Sequence, residues 1–69
     1  MVEVFKTNVQ KANQAKKIIT QLLQHFPDCR INFDLDDCDK ILRVEGEDFI
    51  NGTIMSLVNS HGFTCEVLC

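Results

Sequence analysis

The sequence predicts an α+β sandwich of the split-βαβ, or ferredoxin-like, plan: a four-stranded antiparallel sheet with two helices on one face, in the order β-α-β-β-α-β. Three observations predict it. Short runs of alternating apolar and polar residues stand at the start, middle and end of the chain, a helical apolar stripe follows the first run, and turn-forming residues join the two central runs directly. A chain of 69 residues, 45% hydrophobic and 25% charged, has room for one domain over 1–69 and for no second core.

Residues 2–6, Val-Glu-Val-Phe-Lys, alternate, with Val2 and Val4 on one side and Glu3 and Phe5 on the other, and read as the first strand. Thr7 with Gln10 three residues on matches a weak capping box, so a helix is expected to begin near there. At about 100° per residue, Val9, Ala12, Ala15, Ile18, Ile19, Leu22, Leu23 and Phe26 share half of the wheel. Pro27 biases Phe26 away from helical geometry and ends the helix.

Ile31, Phe33 and Leu35 then alternate with Asn32, Asp34 and Asp36 as a half-buried strand. Residues 36–40 carry turn chemistry and residues 41–45 resume the alternation, which makes a hairpin ended by Gly46. Asp48 is expected to cap a second helix with Ile50, Ile54, Leu57 and Val58 on one face. Gly52 weakens that helix, and Gly62 stands where a left-handed C-terminal cap belongs. Phe63, Cys65 and Val67 alternate with Thr64 and Glu66 as the last strand.

The expected core takes Val2 and Val4 from the first strand and Ala15, Ile19, Leu22, Leu23 and Phe26 from the first helix. The hairpin adds Ile31, Phe33, Leu42 and Val44, and the remainder adds Ile50, Ile54, Leu57 and Val67. By the same alternation Phe5 and Ile41 point from the uncovered sheet face, with Glu3, Arg43, Asn32 and Glu66 around them. Singly such residues are ordinary surface; paired, they suggest a partner or dimer surface.

Charge is unevenly placed: residues 1–27 carry +3 and residues 28–69 carry −6, for a net −3 and a pI near 5.1. An acidic chain lacks the footprint of non-specific nucleic-acid binding. Ile41, Arg43 and Glu45 on the third strand also offer no aromatic platform for RNA bases. Lys11, Lys16 and Lys17 form a stripe suited to an acidic partner, although a solvated helix face is the plainer reading. No apolar run is long enough to span a membrane, and the start of the chain does not resemble a signal peptide. A soluble cytoplasmic protein with reduced thiols is therefore expected.

With Val-x-Val-Phe in the first strand, Ile-x-Phe-Asp-Leu in the second, Leu-Arg-Val in the third and Gly62-Phe63 opening the fourth, the chain resembles the heavy-metal-associated domain family along essentially its whole length. That family includes small copper chaperones and the amino-terminal domains of metal-transporting ATPases. The resemblance implies the fold derived above and, in the loop after the first strand, a Gly-Met-x-Cys-x-x-Cys motif whose thiolates bind copper(I) or zinc. Here the loop reads Lys6-Thr7-Asn8-Val9-Gln10-Lys11-Ala12, so Val9 and Ala12 stand at the cysteine positions. The resemblance thus implies the scaffold and not its metal activity.

An alternative copper or zinc site would draw on His61, Cys65 and Cys69. On an extended strand the two thiols would lie about 13 Å apart at about 3.3 Å per residue, too far for one ion. Cys65 is read instead as a small core residue and Cys69 as a frayed terminal thiol. Cys38 sits among Asp36, Asp37 and Asp39, a setting that disfavours a thiolate nucleophile. Asp34, Asp36 and Glu45 fall at the first, third and twelfth places of a calcium loop, but Asp39 stands where that loop needs glycine. His25 reads as a surface residue and His61 as a partly buried one in the last helical turn.

No catalytic constellation emerges, and no enzyme is expected. The leading expectation is a metal-independent module acting through protein contact or as a small-ligand regulatory domain, with Phe5, Ile41 and Arg43 or the Lys11, Lys16 and Lys17 stripe as its surface. A protein partner or self-association is expected.

Overall fold

The computed structural model describes residues 1–68. Its elements are β1 (Val2–Thr7), α1 (Ala12–His25), β2 (Arg30–Asp34), β3 (Ile41–Glu45), α2 (Asn51–Ser60) and β4 (Cys65–Val67). The sheet runs β2-β3-β1-β4, every neighbouring pair antiparallel, so that β1 lies between β3 and β4 while α1 links it to β2 at the edge. Ala15, Ile18 and Leu22 of α1 and Ile54 and Val58 of α2 are buried with Phe5, Leu42, Val44 and Cys65 of the sheet. Arg30, Asn32, Asp34, Arg43, Glu45, Lys6 and Glu66, of opposite parity, are exposed on the other face. The predicted architecture is therefore the observed one, with both helices on one face.

In β1 the inward parity is the reverse of the expected one. Phe5 is fully buried opposite Leu42 and Val67, whereas Val2 is 51% exposed and Val4 half-buried on the uncovered face. Both parities of this strand carry an apolar residue, and a phenylalanine removes more apolar surface from water than a valine. A one-residue slip would exchange the faces, so Phe5 decides the register. Glu3 shares the inward parity but lies near the sheet end and is half-buried. Phe5 is thus core rather than contact surface.

Helix starts also differ. Lys11, in extended geometry, precedes α1, and its amide donates to Gln14 Oε1 at 3.3 Å. Thr7 remains at the end of β1: its hydroxyl donates to the Lys40 carbonyl at 2.6 Å and accepts from the Val9 amide at 3.3 Å. Val9 reaches the core from the loop and not from the helix. At α2 the cap position is Ile50, also extended, and not Asp48. Phe49 takes the core place while Ile50 is 68% exposed, because helical periodicity does not extend through a non-helical cap residue. Leu23 at 36% exposure lies at the margin of the stripe rather than in the core.

The predicted stops hold. Phe26 leaves helical geometry before Pro27, its amide bonded to the Leu22 carbonyl at 2.8 Å. Gly62 adopts φ +89°, and the Gly62 and Phe63 amides return to the carbonyls of Asn59 and Val58. In the hairpin, Asp37 accepts from the Asp39 amide at 2.8 Å, and Lys40 carries the positive φ of 47° that closes the turn.

Candidate functional site

The uncovered face of the sheet carries a groove of about 700 Å³ at the end where the β2–β3 turn lies. Its apolar lining includes Val4 on β1, Ile41 on β3 and Leu68 beyond β4, with Phe33 and Leu35 at the β2 side. Leu68 is brought there by its amide, which donates to the Val4 carbonyl at 2.8 Å. Arg43, opposite Val4 in the β1–β3 register, contributes the one cation of the lining. Asp34, Asp36, Asp37 and Asp39 contribute four carboxylates.

Local chemistry places those aspartates. Asp34 points outward opposite Ile41, at the end of β2, and the other three belong to the turn. Lys40 Nζ is held to the Leu35 carbonyl at 2.8 Å, which engages that lysine with backbone. Lys6 stands 3.9 Å from Asp39, and that is the only ion pair among the described residues. Both side chains are substantially exposed, so the pair contributes at most about 1 kcal/mol. Asp37, Cys38 and Asp39 bring three donor atoms within 4.8 Å of one another, but they are near neighbours on an exposed turn, and an Asp37 carboxylate oxygen already accepts from the Asp39 amide.

Ile41 and Arg43 thus lie where the sequence places them, on the uncovered face, while Phe5 does not. Lys11, Lys16 and Lys17 are exposed on α1; Lys16 and Lys17 border a shallow depression with Thr20, Gln21 and His61, away from the groove. Val4, Leu68, Asp34, Asp36, Asp37 and Asp39 are among the groove residues that sequence reasoning did not assign to a surface site. The parity of Phe5 against Val4 was the available signal.

Of the two residues that the resemblance sets against motif cysteines, Val9 is fully buried and Ala12 is the exposed first residue of α1. The loop carrying Val9 is tied down by Thr7 on Lys40 and by Asn8, whose side-chain oxygen accepts from the Thr64 amide at 2.8 Å. His61 is exposed, not partly buried, and Cys65 is buried on the inward face. Burial, reinforced by Glu66, pushes the Cys65 thiol up to about 11 and so disfavours the thiolate a metal requires. Cys69, the remaining donor of that set, lies outside the described residues.

Cys29 is buried beneath a second depression, lined among others by His25, Asp28, Gly46 and Asp48. Its thiol is likewise raised, by burial and by the nearby Asp28 and Asp48 charges, which makes it a poor nucleophile.

Compared with known proteins, the chain matches no family model, no curated protein and no solved structure.

Proposed function

We propose that this chain is a non-enzymatic, cytoplasmic protein-interaction module of heavy-metal-associated-like design that works without a bound metal. The single observation that carries the reading is the groove of about 700 Å³ on the uncovered sheet face, where Val4, Ile41 and Leu68 remain accessible beside Arg43 and the aspartates. Contiguous accessible apolar surface with a polar rim is the pattern of an interaction site. The residues at the family's ligand positions support the metal-free part: Val9 is core, and Ala12 offers no donor. Acidic residues around the groove argue against a polyanionic nucleic-acid partner.

The test is a selection of binding peptides from a random library against the chain, with and without a strong chelator, counter-selected on Val4→Glu with Ile41→Glu. The double variant alters only outward side chains and is checked for folding by its urea transition. Binders that survive chelation and are lost on the double variant support the reading. Binders that ignore the double substitution overturn it. Stoichiometric copper(I) or zinc uptake by native mass spectrometry, above that of a cysteine-free variant, would instead favour a metal carrier using His61, Cys65 and Cys69.

A further inference from the structure

We infer that the occupant of the sheet-face groove is a cationic chain segment with an apolar anchor, supplied by a partner protein. The inference rests on the proposed interaction reading and deepens it by naming the partner's chemistry. Two independent properties of the groove specify that chemistry. Its apolar lining includes Val4 on β1, Ile41 on β3 and Leu68 after β4, so an extended segment laid across the sheet passes accessible apolar side chains of three neighbouring stretches. Its acidic side is formed by Asp34, Asp36, Asp37 and Asp39, against the single guanidinium of Arg43.

Two of the four carboxylates are uncommitted. Lys6 approaches Asp39, and Asp37 caps the Asp39 amide, whereas Asp34 and Asp36 are exposed and have no ion-pair partner among the described residues. A lysine- or arginine-bearing segment would meet opposite charge beside the apolar lining. An acidic segment would find Arg43 in the lining, with Lys6 beside Asp39 at its edge, and would set its charges against four carboxylates.

A second copy of this chain is the weaker occupant. Two-fold docking of this face on itself would join two acidic surfaces of a chain already carrying −3. The lysines of α1 belong to the helical layer, so a copy offering Lys16 and Lys17 would do so head to tail, an arrangement that builds open chains rather than a closed pair.

The experiment measures fluorescence anisotropy of a labelled synthetic peptide in which lysines flank a central Leu-Val pair, against its isomer with glutamates in place of lysines. Full-length wild type, Asp34→Asn with Asp36→Asn, and Val4→Glu with Ile41→Glu are compared at low and high salt. The expected result is binding of the lysine peptide alone, weakened by salt and weakened about three- to tenfold by the double Asp→Asn change, the sum of two solvent-exposed charge contributions. The asparagine variant substitutes exposed residues and retains side-chain shape, so its urea transition should match that of wild type.

If both peptides bind alike and only the double glutamate variant loses them, the cationic assignment is overturned while the sheet-face reading stands. If no face substitution affects either peptide, both fall. Concentration-dependent self-association in sedimentation, removed by Lys16→Ala with Lys17→Ala and also by the Asp→Asn pair, would overturn the separate partner in favour of a second copy.

Discussion

Gly46 is a position where the packing leaves no room for a methyl group. A β-carbon there would stand 2.5 Å from the Sγ of buried Cys29 and 3.4 Å from that residue's Cα and Cβ. The backbone is not free to withdraw, because the Gly46 amide donates to the Met1 carbonyl at 2.9 Å and the preceding Glu45 pairs with both Val2 and Arg30. Relief in Gly46→Ala must therefore come from a turned Cys29 side chain or separated strands. Overpacking of this kind costs about 1–3 kcal/mol. The smaller entropy of the unfolded alanine chain offsets about 0.4–1 kcal/mol of it. The net loss is about 1–2 kcal/mol, or about 5–15 °C in Tm for a domain of this size.

Urea denaturation of a four-member cycle is the assay. Cys29→Ala alone should cost about 1 kcal/mol for the lost buried sulfur. Combined with Gly46→Ala it should cost less than the sum of the two single changes by about 1 kcal/mol, because the obstructing sulfur is gone. A Gly46→Ala variant as stable as wild type, or additive effects within about 0.3 kcal/mol, would refute the steric account.

Further predictions follow from the burial of single groups. Phe5→Ala should cost about 3–5 kcal/mol and Val2→Ala less than about 0.5 kcal/mol in urea denaturation; the opposite ranking would restore the other parity of β1. Thr7→Val, which leaves the Lys40 carbonyl without its hydroxyl donor, should cost about 1–2 kcal/mol, read by the same transition. Because the folded Cys65 thiol is raised from 9.0 to about 11, the folded state keeps that proton longer than the unfolded state. Its contribution is present below pH 9.0 and is lost as pH rises toward about 11, so Cys65→Ala should flatten the alkaline decline of the urea midpoint. Under native conditions iodoacetamide should modify exposed Cys38 before buried Cys29 and Cys65, as peptide mass mapping would show.

Legibility of the sequence followed the locality of the cause. Pro27 and Gly62 act through their own backbone preferences, and the hairpin through adjacent turn residues, so these features could be read without knowing any neighbour. The parity of β1 could not, because apolar residues occupy both sides and the choice depends on Phe5 fitting between Leu42 and Val67 across the sheet. Helix starts are hidden for a related reason: Val9 and Ile50 continue the apolar periodicity of the helices they adjoin yet lie outside them.

The candidate site was legible only in part. Ile41 and Arg43 declare themselves by alternation, but Asp34 and Asp36 look like solvated hairpin residues until Val4 and Leu68 are brought alongside them by strand pairing. A groove assembled from residues 4, 34, 41 and 68 has no local signature.

The most direct test of the central claim is amide chemical-shift mapping of the isotope-labelled chain on titration with the lysine-flanked peptide. The account predicts progressive shifts at Val4, Asp34, Asp36, Ile41, Arg43 and Leu68, with Lys16, Lys17 and His61 unmoved. Shifts confined to the helical layer, or no shifts at saturating peptide, would contradict it.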